Sequence, residues 1–170
     1  MNTIRTWLSV LEASYLIALL PAWHPNQRKQ AIKAPKLHFL DTGLACHLLG
    51  IRTPGQLASH PLRGASFESW MVSEVMKARL HAGVAPRMFP YREARGPEVD
   101  LLVQSGEGWI LAEAKSGATV DSSFFRPMKR LAGRFPEGTA VEKRLIYGGE
   151  ASYLRQGTEV IAWAEIQGWS

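Results

Sequence analysis

Residues 97–115 read PEVDLLVQSGEGWILAEAK, and these nineteen residues decide how the chain is organised. Two apolar runs, residues 99–103 and 109–112, flank Ser105-Gly106-Glu107-Gly108, which is a hairpin signal. If the strands pair symmetrically about that turn, Asp100 stands opposite Glu113 and Glu98 opposite Lys115. Side chains alternate along a strand, so the four would project from one face. Opposed residues stand ~4.5–5.5 Å apart at Cβ, a separation at which two carboxylates repel unless a cation sits between them. Lys115, one step along, completes a compact charged cluster. A register slip of one residue would destroy this arrangement. Alternating charge on the wet face of a half-exposed hairpin would use the same residue types without a metal.

Composition bounds the rest. The 170 residues suffice for one ordinary domain with a small appendage. Apolar content of 46% and charged content of 21% are those of a globular protein. A formal charge of +5 and a pI near 9.6 favour a polyanionic partner. The lone cysteine, Cys46, excludes an internal disulfide framework and fits a reducing cytosol. His24, His38, His47, His60 and His81 show no metal-ligand spacing and read as surface or packing residues. No stretch approaches the ~18 consecutive apolar residues of a membrane span. The apolar run at residues 15–20 is preceded by Glu12 and Ser14 and followed by PAWHP, the wrong chemistry for signal cleavage. The chain therefore reads as cytoplasmic, with no membrane association.

In chain order, residues 3–13 place Ile4, Trp7, Leu8 and Leu11 at helical spacing. Strands are expected at residues 15–20 and 36–40, joined by a basic loop. A helix followed by a two-stranded ribbon is the back half of a winged helix, and residues 1–45 are assigned to that partial unit. Arg28, Lys29 and Lys33 in the loop either touch nucleic-acid phosphates or are simply solvated. Asp41 is placed to cap a helix over residues 43–49 that Gly50 ends. Residues 46–64, rich in Pro and Gly towards their end, read as a linker.

Residues 65–170 form the second unit. A helix over 65–81 buries Phe67, Trp70, Met71, Val75 and Ala78, and carries Glu68 in its first turn, where the helix dipole alone would favour an acid. A strand at 87–92, the hairpin, a helix at 122–135 and strands at 143–147 and 159–163 follow. The second helix sets Arg126, Lys129, Arg130 and Arg134 away from its apolar side.

The order helix, three strands, helix, strand, combined with Glu98-Val99-Asp100 and Glu113-x-Lys115, resembles the PD-(D/E)XK nuclease superfamily. Phe67-Glu68, Tyr91-Arg92 and the upstream segment PKLHFLDTGL at 35–44 make it similar to one branch in particular. That branch is the uncharacterised C-terminal domain of bacterial and archaeal AAA-type ATPases, where such a segment joins a winged helix to a nuclease-like domain. The resemblance implies an α/β fold with a restriction-endonuclease-like core (α-β-β-β-α-β, a mixed sheet flanked by helices). It also implies Mg²⁺ or Mn²⁺ as cofactor, with Asp100, Glu113 and Glu68 as its ligands and Lys115 beside the scissile phosphate. The nucleic acid would be DNA, and an AAA-type ATPase is the implied partner; by their charge, Arg126, Lys129 and Arg130 either steer the nucleic-acid backbone or serve only solubility. No Gly-x-x-x-x-Gly-Lys-[Ser/Thr] loop is present, so ATP hydrolysis of that kind would belong to another chain. Two functions follow as expectations: a metal-dependent nuclease, or a non-catalytic module of an ATPase system that binds nucleic acid or docks a protein. A truncated gene product is the further alternative that the half winged helix raises.

Overall fold

The structure is a computed structural model that describes residues 2–23, 34–93, 96–167 and 169. Helix α1 (Asn2–Ala13) leads, by way of Tyr15 in the left-handed region (φ +57°), into strand β1 (Ile17–Leu20). β1 pairs antiparallel with β2 (Lys36–Phe39), Ile17 opposite Phe39 and Leu20 opposite Lys36. Helix and ribbon thus form where the sequence places them, but the apolar stripe of α1 is not covered. Ile4 and Trp7 are 70% and 69% exposed. The ribbon is not free-standing, because Leu20 joins the main core and Trp23 packs on Tyr91, Trp109 and Phe135.

Three helices come next: α2 (Thr42–Leu48), α3 (Pro54–Ser59) and α4 (Arg63–His81). Asp41 caps α2 by accepting from the Leu44 amide at 2.9 Å, as expected. The linker assigned to residues 46–64 needs correction, since it holds all of α3. The signal was present: Thr53 and Gln56 form a reciprocal capping box, with Pro54 in the first turn. α4 starts at Arg63, two residues before the expected start.

The main sheet then assembles from β3 (Met88–Arg92), β4 (Glu98–Ser105), β5 (Gly108–Lys115), β6 (Val141–Tyr147), β7 (Tyr153–Arg155) and β8 (Thr158–Ala162). Their order across the sheet is β3-β4-β5-β6-β8-β7. β3, β4 and β5 form an antiparallel meander, and β5, β6 and β8 run parallel. Between β5 and β6 the chain crosses over through a 3₁₀ turn (Ser122–Phe125) and helix α5 (Arg126–Ala132). The helix expected at 122–135 is therefore divided and shorter, its α part starting at Arg126-Pro127, where proline suits a first turn, and ending at Gly133. β7 is an addition the sequence reading missed. Gln156 and Gly157 both have positive φ (+53° and +69°), so a two-residue turn folds β7 onto β8.

The two faces of the sheet bury separate cores. Met71, Val72 and Val75 of α4 pack on Leu101, Val103, Ile110, Ala112 and Ile146. On the opposite face, Met128 and Leu131 of α5 pack on Leu102, Leu111, Leu145 and Val160. Central strands covered on both sides need continuous apolar runs, which is what Leu101-Leu102-Val103 and Ile110-Leu111-Ala112 provide. The architecture is α/β, a mixed sheet of six strands among the described residues, flanked by helices. Among the described residues no helix is long and apolar enough to cross a membrane.

Candidate active site

The β4–β5 hairpin folds in the expected register, Leu101 opposite Ala112 and Ser105 opposite Gly108, with Gly106 taking the positive φ (+56°) of its turn. Regular pairing stops at Leu101. Towards β3, Tyr91 faces Val99 whereas Phe89 faces Leu102, so Pro90 alone spans both Asp100 and Leu101. This is a β-bulge, placed where proline on an edge strand has no amide to contribute. Its effect is visible in the packing: Val99 lies with the α5-side core and Leu101, two residues on, with the α4-side core. Strict alternation thus fails at Asp100, and the single wet face expected for Glu98, Asp100, Glu113 and Lys115 does not form.

Glu98 is the residue this displaces. It was expected opposite Lys115 but turns to Arg92 (3.5 Å) and Lys36 (3.8 Å). Asp100 instead accepts the Ala114 amide at 2.9 Å, which bridges the strand ends and fixes its carboxylate. The Ala114 backbone thus presents a donor to Asp100.

Glu113, 3% exposed, is the most buried member. Its Oε2 lies 2.8 Å from Lys115 Nζ, while its Oε1 is buried with no N–H or O–H donor. Burial, then the charge of Asp100, push its carboxyl up to about 8, and Asp100 is near enough to share the proton. Burial works against charge on Lys115, but Glu113, Asp100 and Glu68 outweigh it and raise its value. The Lys115 ammonium also sits 5.6 Å above the Phe124 ring.

Glu68 arrives from the first turns of α4. Burial and Asp100 raise its carboxyl, and Lys36 works in the other direction. Lys36 Nζ is 2.6 Å from Glu68 Oε1. Beside it His38 is buried, its Nδ1 3.3 Å from Ser69 Oγ and its Nε2 3.9 Å from Glu68 Oε1. Burial, then Lys36, lower His38 to about 4, so its ring is neutral. The structure therefore brings Glu68, Asp100, Glu113 and Lys115 into one charged cluster and adds Lys36 and His38, which the sequence reading did not assign. Their signal was the polar i, i+2 pair of β2. Among the described residues, no group of three or more His, Cys, Asp or Glu side chains is arranged to hold a metal ion. Lys36 and Lys115 hold two of the carboxylates instead. A groove of roughly 780 Å³ opens beside the cluster, lined in part by Pro35, Lys36, Tyr91, Arg92 and Glu98.

Of the expected nucleic-acid contacts, Arg28, Lys29 and Lys33 lie outside the described residues. Arg126, Lys129 and Arg130 are exposed along α5. Arg134 is engaged by Glu93 and by the Tyr91 hydroxyl, which gives it a structural role.

Two family models match the chain. Residues 63–166 match a family model described as Domain of unknown function (DUF4143), and residues 1–55 match Domain of unknown function (DUF8612). Two mycobacterial proteins, Uncharacterized protein Rv2008c of Mycobacterium tuberculosis and Uncharacterized protein Mb2031c of Mycobacterium bovis, are each 32% identical over 104 residues. That match covers 61% of this chain but only 22% of either relative. No solved structure matches significantly.

Proposed function

This chain belongs to the DUF4143 family, and we propose that it is a magnesium-dependent nuclease domain of the PD-(D/E)XK type, hydrolysing phosphodiester bonds in DNA. One observation carries the reading: a buried carboxyl, Glu113, is set beside Asp100 with an oxygen that no donor meets. A scaffold has no physical need for such a pair, which costs desolvation and repulsion. Oxygen-only donors at Asp100, Glu113 and Glu68 suit a hard divalent cation. Bound there, magnesium would supply Lewis-acid stabilisation of the phosphate and lower the pKa of attacking water.

The chain's own residues do the rest. Asp100, held by the Ala114 amide, presents its carboxylate in a fixed direction. Glu113 would hold the cation in its deprotonated form, the proton it carries passing to solvent. Lys115, freed from Glu113, hydrogen-bonds the attacking water or a phosphate oxygen. Hydrolysis forms one P–O bond from water and breaks one ester P–O bond, the leaving oxygen gaining a proton. Arg126, Lys129 and Arg130 add positive charge along α5 that attracts the DNA backbone. The test is incubation with supercoiled DNA and Mg²⁺ or Mn²⁺, beside Asp100→Asn, Glu113→Gln and Lys115→Met. Metal-dependent nicking lost in all three supports the reading, and nicking that survives them overturns the site.

The exposed apolar face of α1 favours a second reading, in which the chain is a docking module for a partner such as an AAA-type ATPase. DNA binding or partner capture without cleavage would shift the assignment to it.

A further inference from the structure

Lys36 comes from the N-terminal ribbon, 32 residues before the glutamate it holds. Its ammonium lies 2.6 Å from Glu68 Oε1 and 3.8 Å from Glu98, and its charge is felt by Asp100. Apart from Lys115 on Glu113, it is the positive group closest to the carboxylates among the described residues. Behind it His38, 2% exposed, leaves Nε2 without a hydrogen-bond partner and directs it at the same Glu68 oxygen from 3.9 Å. His38 Nε2 is thus a buried polar atom short of a partner beside the Lys36–Glu68 pair. Lys36 is only partly enclosed, its side chain 34% exposed at the rim of the groove, so it can withdraw into solvent without unpacking a core.

We propose that Lys36 is a tethered cation occupying the position of the divalent ion, so that metal binds Glu68 only by displacing it. The inference rests on the metal-site reading above and assigns a site role to the strand that precedes the DUF4143 match. A dication next to Glu68 and an ammonium 2.6 Å from the same oxygen repel, and the two cannot share it. β2 thereby connects cation occupancy of the sheet end to the position of the N-terminal ribbon.

The test is calorimetric titration of the whole chain with Mn²⁺ alone, without nucleic acid. Lys36→Met should raise Mn²⁺ affinity about tenfold, whereas Lys36→Arg, which keeps the charge, should stay near the wild type. Lys77→Met serves as control, because Lys77 pairs with Glu74 on the same helix at 2.5 Å, outside the cluster. Circular dichroism confirms that each variant is folded. Equal affinity in wild type and Lys36→Met overturns the inference while leaving the metal site standing. Absence of Mn²⁺ binding in both overturns the inference together with the metal reading beneath it.

Discussion

Glu113 Oε2 lies 2.8 Å from Lys115 Nζ, two residues apart on one strand, with the acid sealed from solvent and the amine a third exposed. Burial, and after it the charge of Asp100, outweigh the pull of Lys115, which is why Glu113 holds its proton up to about 8.

That shift gives a pH dependence of definite sign. A carboxyl whose folded value is raised stabilises the fold below its unfolded value and loses that contribution as pH rises through the folded one. His38, lowered to about 4, acts oppositely: its contribution is complete above its unfolded value and is lost as pH falls from there towards about 4. The two effects offset each other in the acid range, so Glu113 is read cleanly on the alkaline side of neutrality. Urea midpoints in a chelating buffer should show stability falling by roughly 2 kcal/mol between about pH 6.5 and 8, and Glu113→Gln should flatten that slope. A wild-type slope unchanged by the substitution would remove the buried-proton account.

Divalent cation binding should then expel a proton. Mn²⁺ calorimetry at pH 7 in buffers of differing ionisation enthalpy should report release of about one proton, as ligands must deprotonate to bind. Glu113→Gln should abolish the buffer dependence. Binding heats that do not vary with buffer would place the metal elsewhere.

Asp100→Asn separates charge from architecture. The amide oxygen can still accept from Ala114, so the melting temperature should stay close to wild type. Any metal-dependent cleavage should fall at least about a hundredfold, because several kcal/mol of cation-mediated stabilisation is lost. Undiminished cleavage in this variant would show that Asp100 has only a structural role.

Arg79 is predicted to be a stability residue. Buried at 5% exposure, it donates to the carbonyls of Ala85, Gln104 and Trp169, tying α4 to β4 and to the end of the described chain. Arg79→Leu strands those carbonyls and should cost about 3 kcal/mol in denaturant unfolding. A cost under about 0.5 kcal/mol, the size of a surface change, would show that water replaces the guanidinium.

Trp7 supplies the contrast. At 69% exposure Trp7→Ser should change stability by no more than about 0.5 kcal/mol, whereas Met71→Ala in the closed core should cost about 2–5 kcal/mol. A large cost at Trp7 would mean that α1 is covered in solution.

Local physics made much of this chain legible in its sequence. Two-residue alternation about Ser105-Gly106-Glu107-Gly108 was sufficient for the hairpin and its register, because a buried face tolerates no slip. Helical spacing located α1 and α4, and the lone Asp41 located a cap. Short elements without a strong period were not legible: α3 in the assumed linker, and β7 behind its Gln156-Gly157 turn. The site divides the same way. Glu113 and Lys115 sit on one strand, and their contact follows from spacing alone. The bulge at Asp100, the turning of Glu98 to Arg92, and the arrival of Lys36 and His38 at Glu68 were decided by tertiary structure. The first two depend on how β3 pairs with β4 and the last on how the N-terminal ribbon docks against α4, non-local packing choices that no period within either segment encodes.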